Sequence, residues 1–304
     1  MKSPGVASSV LDAIGDTPLL ELEDLWLKLE YLNPSGSIKA RMARYIIERA
    51  EREGLLKPGD TIVEASSGNT GNAMSMVAAV KGYRMIVVTP EGLSPERASI
   101  TTAFGAELHQ VGNFHVNEAL DVVAAYAARP GFFAPRQFES EWNVEENRTW
   151  LGPELLHQLG PTRVPDAFVM GVGTGGTLIG VGQALREANR DVLLVALEPA
   201  ESCTIQCGDV NLHHIEGIAD GFVPAIYARH RALVDRVVAV HSDDAIREMR
   251  HLARAHGLLV GPSSGANVVA ARRLKKELGP DAVVVSILCD EGEKYLSEYY
   301  GPVP

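Results

Sequence analysis

The chain has 304 residues, 46% hydrophobic and 22% charged, with 29 Gly and 17 Pro spread along it, a composition that fits one large or two ordinary globular domains and leaves no low-complexity tract. Its 28 Lys+Arg against 39 Asp+Glu give a net charge of -11, and the only clustered bases, Arg272-Arg273 and Lys275-Lys276, read as a helix surface, so nucleic acid is excluded as a partner. Cys203, Cys207 and Cys289 are too few and too unevenly spaced for a disulfide framework or a four-ligand zinc site; no metal is expected, and the three read as packing residues in a reducing compartment.

No apolar run approaches the length of a membrane span and residues 1–16 lack the apolar core of a leader, so a cytoplasmic, membrane-free protein is expected. In chain order, β-rich runs fall at 25–30, 61–64, 85–89, 107–111, 167–171, 192–198, 236–240 and 283–288. Several are apolar throughout, as strands covered on both faces are. Helical spacing fills the intervals. Ile38, Met42, Tyr45, Ile46 and Ala50 form one stripe of a helix that stops at Gly54, and Met74, Val77 and Ala78 mark a second over 71–82,. Strands alternating with longer helices predict an α/β fold built on parallel sheets. Gly131, Pro135, Gly152, Pro153, Gly160 and Pro161 punctuate the stretch 130–161, where a domain crossing is expected.

Lys39 stands in the first turn of the first helix, directly after Asn33-Pro34-Ser35-Gly36-Ser37-Ile38. A cation gains nothing from the positive end of a helix dipole. Desolvation there favours the neutral amine, which attacks aldehydes, so Lys39 is the candidate for a Schiff base with a carbonyl cofactor. The plainer alternative is a solvated lysine near a helix start.

Three glycine-containing turns join strands to helices, where backbone amides converge on anions. Ser66-Ser67-Gly68-Asn69-Thr70-Gly71 suits a small carboxylate, or serves only as a helix cap. Gly171-Val172-Gly173-Thr174-Gly175-Gly176-Thr177 suits a phosphate. The same turn fits a dinucleotide fingerprint through Gly171, Gly173 and Gly176, with Glu198 placed to hold a ribose hydroxyl, so a nicotinamide-dependent oxidoreductase is the rival reading from a different class. Gly261-Pro262-Ser263-Ser264-Gly265-Ala266 opens a further helix; either serine caps it or faces inward.

Together these motifs, in this order and spacing, resemble the cysteine synthase and cystathionine β-synthase family. Ile14-Gly15-Asp16-Thr17-Pro18-Leu19 and Gly292-Glu293-Lys294-Tyr295-Leu296-Ser297 extend the resemblance over nearly the whole chain. It implies a pyridoxal 5'-phosphate enzyme of the tryptophan-synthase-β type: two domains, each an open, mostly parallel, twisted sheet flanked by helices, with the cofactor in the cleft between them. A large cofactor-binding domain would comprise residues 1–34 and 145–304, and a small mobile substrate-binding domain residues 35–144. Lys39 would be the Schiff-base lysine and the catalytic proton shuttle at Cα. Asn69 would bond the cofactor's phenolic oxygen, Gly173, Thr174, Gly175, Gly176 and Thr177 its phosphate, and Ser263 its pyridine nitrogen. Ser66, Ser67, Thr70 and Gln137 would bind the substrate carboxylate, and Gly217 would shield the substrate-bound cofactor.

The implied reaction is β-replacement on an O-activated L-serine through an aminoacrylate, first of all O-acetylserine plus sulfide giving L-cysteine. The enzyme would be a transferase of cysteine biosynthesis and a homodimer, its partners an amino-acid substrate and a thiol or sulfide nucleophile. Alternatives are a cystathionine β-synthase-like enzyme, an O-phosphoserine-using enzyme served by Arg97 or Arg148, a diaminopropionate-forming synthase, and a β-eliminating dehydratase or desulfhydrase. Trp150 and Leu151 stand where the family has small polar residues and read as core; Asp220 adds a carboxylate beside the Gly217 loop, where it would repel an anionic second substrate or recognise a cationic one.

Overall fold

The computed structural model describes residues 6–91, 94–113 and 116–301. Its strands are β1 (Leu19–Leu22), β2 (Leu25–Leu29), β3 (Thr61–Ala65), β4 (Arg84–Glu91), β5 (Glu107–Asn113), β6 (Phe132–Phe133), β7 (Ala167–Gly171), β8 (Leu193–Pro199), β9 (Arg236–Val240) and β10 (Val284–Leu288). The helices are α1 (Lys39–Arg52), α2 (Asn69–Lys81), α3 (Pro95–Ala103), α4 (Asn117–Ala127), α5 (Glu141–Glu146), α6 (Gly152–Leu159), α7 (Gly176–Ala188), α8 (Ala225–Arg229), α9 (Ser242–His256) and α10 (Pro262–Leu278). None is long and apolar enough to cross a membrane.

The chain divides into two compact units, Met1–Thr17 with Leu32–Pro135, and Pro18–Tyr31 with Arg136–Pro304. The first holds a parallel sheet ordered β5-β4-β3-β6, against which α2, α3 and α4 pack, with α1 against α2. Every residue of β3 is buried, the pattern of a strand covered on both faces,. Gly82, at φ 77, ends α2 in the left-handed conformation that only glycine adopts without strain,.

The second unit holds a sheet ordered β1-β2-β10-β7-β8-β9, parallel except for the β1–β2 hairpin. Leu27, Val169, Val195, Val260, Ala266 and Val284 sit at the heart of its core, each fully buried. The longer segment of this unit starts at Arg136, and within it Asn143 donates to Thr174 and Glu141 pairs with Arg229.

The α/β architecture and all eight expected strands are present, with ends within two residues of those read from the sequence. Strand β1 was not expected. Its hairpin turn uses Glu23 and Asp24, both at positive φ (48° and 64°), a conformation that Asn-Gly ordinarily signals. Cys203 and Cys207 also depart from expectation: four residues apart on a turn, with Cα atoms 5.3 Å apart, they form a disulfide instead of packing as free thiols,. Cys289 is free and buried, as expected.

Candidate active site

In the first unit, Ser35 (φ 72) and Gly36 (φ 67) turn the chain sharply into α1, and Gly36 N donates to Asn33 O at 2.8 Å. A serine held in the left-handed region is the kind of local strain that concentrates at functional sites. Lys39 follows as the first residue of α1, half-buried. Its amine has no hydrogen-bond or ion-pair partner among the described residues. The fully buried lysines behave differently: Lys28 donates to Glu154 and Gln158, and Lys294 lies 3.6 Å from Glu291. An amine near a helix N-terminus with no acid beside it is available for chemistry.

The Ser66 turn links β3 to α2. Ser66 is buried, and its Oγ accepts from Gly68 N (3.1 Å) and Gly71 N (2.9 Å), so it shapes the turn from which Ser67, Asn69 and Thr70 project,. A Cβ on Gly71 would lie 2.9 Å from Val87 Cγ1, so glycine lets α2 settle on β4. Arg97, from α3, donates to Ser67 O at 3.4 Å and lies against Gly68. Arg148 is instead committed to an exposed ion pair with Glu187.

In the second unit, β7 delivers the glycine turn to α7. Gly175 adopts φ 85, and Cβ atoms on Gly173 and Gly176 would lie 2.5 Å from Gly217 O and 2.2 Å from Asn143 Oδ1. Side chains are excluded there, and bare backbone opens the helix. Thr174 Oγ1 accepts from Gly176 N (3.2 Å) and Asn143 Nδ2 (2.9 Å); Asn143 Nδ2 also donates to Gln137 O (2.9 Å). Thr177, in the first turn of α7, has no partner for its hydroxyl among the described residues.

The Gly217 loop lies on this turn, with Ala219 N donating to Val172 O at 3.0 Å. Ser263 Oγ is 4.0 Å from where a Cβ on Gly217 would stand. The two serines of α10 separate cleanly: Ser264 Oγ accepts from Cys289 N at 2.8 Å, whereas the hydroxyl of the buried Ser263 has no partner among the described residues. Gln137, residues 173–177, Gly217 and Ser263 therefore gather in one unit, and Lys39, Ser66, Ser67, Asn69 and Thr70 belong to the other.

The loop that carries Gly217 is pinned by His213. Its Nδ1 accepts from Ile215 N (3.2 Å) and its Nε2 donates to Ala219 O (3.1 Å), which defines a neutral imidazole,. Burial holds its pKa below the usual 6.5, against the raising influence of Ala219 O, Asp220 and Glu201. Asp220 itself is half-buried. Tyr299 donates to Glu216 and ties the C-terminal segment to the same loop.

Two supporting residues escaped the sequence reading. Asn143 is described above; Asn267 is the other. It is fully buried, accepts from Gly171 N (2.9 Å), donates to Ile287 O (2.8 Å) and so holds the end of β7 to α10. The dinucleotide reading loses its acid, because the buried Glu198 accepts from Ile205 N (2.7 Å), Gln206 N (3.2 Å) and Gln206 Nε2 (2.9 Å) of its own following loop. Leu151 is fully buried, as expected of core, and Trp150 half-buried. Both follow Asn147 on a π-type turn that widens the helix just before Pro153, a residue with no N–H to give,.

A family model described as pyridoxal-phosphate dependent enzyme matches residues 10–290. The chain is 41% identical over 298 residues to a cysteine synthase of Staphylococcus aureus, covering 95% of each. It is 38% identical over 300 residues to an O-ureido-L-serine synthase of Streptomyces lavendulae, covering 96% of this chain and 92% of that one. Among solved structures, the O-acetylserine dependent cystathionine beta-synthase of Helicobacter pylori superposes with a TM-score of 0.92 at 31% identity, over 97% of this chain and 99% of the other. The chain belongs to the family of pyridoxal-phosphate dependent enzymes, among relatives named cysteine synthase.

Proposed function

We propose that this protein is a pyridoxal 5'-phosphate-dependent β-replacing synthase that acts on an O-activated L-serine, with O-acetylserine and sulfide as its substrates and L-cysteine as its product. The observation that carries the reading is Lys39: a half-buried amine at a helix start, without a polar partner among the described residues, in a chain similar to enzymes named cysteine synthase.

The residues suit the cofactor. The turn at 173–177 offers bare backbone, two threonine hydroxyls and the positive end of α7 to a phosphate,. Ser263 offers an uncommitted hydroxyl to a ring nitrogen, and Asn69 an amide to a phenolic oxygen. When bound, the cofactor withdraws electrons from the α-carbon of an amino acid, so that a group on Cβ can leave and a nucleophile can take its place.

This chain's own part is to hold and to move protons. Lys39 anchors the cofactor covalently between turnovers, takes the Cα proton and later returns it. Ser67, Thr70 and Gln137 bind the substrate carboxylate, with Ser66 shaping their turn and adding its hydroxyl hydrogen. Gly217 brings loop backbone over the site and keeps water from it. The unit that holds residues 32–135 serves as the substrate-binding domain, and the unit that holds residues 136–304 carries the phosphate. The protein works as a cytoplasmic homodimer, which light scattering checks.

Arg97 favours a second reading of the donor. Its guanidinium lies against the Ser67–Gly68 turn, where it would pair with a phosphate and make O-phosphoserine the better substrate. Product analysis with sulfide and each donor in turn decides. Cysteine from O-acetylserine at the higher kcat/KM supports the first reading; a preference for O-phosphoserine that Arg97→Met abolishes replaces it. Pyruvate as the main product with sulfide present would contradict both.

A further inference from the structure

Glu23, His251 and His256, none of them a residue of the candidate active site, bring three donor atoms within 4.8 Å of one another. Glu23 stands on the β1–β2 turn, and both histidines belong to the last turns of α9, within the same unit. His256 Nε2 is buried and makes no hydrogen bond among the described residues, although Glu23 Oε1 lies 3.4 Å away. Two ligands bound tetrahedrally to zinc, each at about 2.0–2.1 Å, stand roughly 3.4 Å apart. This pair already has that spacing.

His251 is exposed, and its ring stands 5.4 Å from that of His256 at 86°, so a rotamer change closes the remaining gap. The second oxygen of Glu23 is held by Arg272 at 2.8 Å, and Arg272 also pairs with Glu248 at 3.0 Å. That contact fixes the carboxylate, turns Oε1 toward the imidazoles and leaves Arg272 balanced by a second acid. The C-terminal end of α9, a helix of 15 residues, adds its negative pole,. His251 also lines a surface hollow of about 550 Å³ with Arg250 and Arg254. Those cations oppose a bare ion and favour one that carries an anionic fourth ligand.

We propose that Glu23, His251 and His256 bind one zinc-class divalent ion, with the remaining position open to water or a small anion, and that the ion clips the β1–β2 turn to α9. Two imidazoles and a carboxylate are a donor set that zinc accepts readily.

The test is calorimetric titration of the chelator-treated holoenzyme with zinc chloride, with bound metal counted by elemental analysis. One zinc per chain is expected. Affinity should fall by about tenfold or more in both His251→Asn and Glu23→Gln. Both substitutions replace exposed side chains with near-isosteric ones, so the fold should survive them, and circular dichroism checks this. Cys203, Cys207 and Asp209 form the other donor trio in the described residues; replacing both cysteines by serine should leave the zinc in place. No uptake at sub-millimolar free zinc, uptake unchanged in both the His251 and Glu23 variants, or uptake lost with the cysteines would overturn the assignment.

Discussion

Asn143 and Thr174 are joined by a buried hydrogen bond of 2.9 Å, and the same amide nitrogen reaches Gln137 O. One side chain thus ties the strand-to-helix turn at 173–177 to the segment that carries Gln137. Removing it leaves a buried carbonyl and a buried hydroxyl short of a donor, at a cost of about 1–3 kcal/mol.

Asn143→Ala is therefore expected to weaken cofactor binding by about tenfold or more, and fluorescence titration of the cofactor-free variant measures it. Asn143→Asp should behave similarly, because a carboxylate fills the same space without a hydrogen to give. Affinity unchanged in both would mean that the turn is held by its backbone alone.

Ser263 and Ser264 should part company on substitution. Ser264→Ala leaves the buried Cys289 N–H without its acceptor and should lower stability by about 1–3 kcal/mol, read as a lower thermal midpoint. Ser263→Ala removes a hydroxyl with no protein partner among the described residues; the midpoint should hold while the absorbance of the bound cofactor and kcat change.

His213 gives the loop that carries Gly217 a pH dependence. Its folded pKa is lowered from 6.5, so below that value the unfolded chain takes up a proton that the folded chain resists. Stability from this group is complete above about pH 6.5 and is lost as pH falls through the window between the unfolded and folded values. Protonation at Nδ1 also breaks the bond from Ile215 N. Thermal midpoints measured from about pH 8 down to about pH 5 should fall more steeply in the wild type than in His213→Asn. Parallel profiles would assign the loss to other groups.

Features that depend on neighbouring residues were legible in the sequence. A lysine after a glycine turn, and glycines between a strand and a helix, announce themselves within a few positions, and the structure builds those turns from the residues expected. What stayed hidden depends on distant partners. Ser263 and Ser264 are told apart only by Cys289, on a chain segment 25 residues from Ser264. Asn143 matters because Thr174, 31 residues on, folds back to it. Glu198 has the spacing of a ribose ligand, but the loop after it fills its oxygens with backbone N–H groups. Strand β1 was concealed by a Glu-Asp turn that does what Asn-Gly usually does. Cys203 and Cys207 look like isolated thiols until the turn between them brings them together.

The central claim rests on Lys39, and borohydride reduction tests it most directly. Protein incubated with pyridoxal 5'-phosphate, reduced, digested and mapped by mass spectrometry should carry one cofactor per chain, fixed to the peptide containing Lys39 and missing from Lys39→Ala. Label on another lysine, or none at all on protein saturated with the coenzyme, would contradict the account.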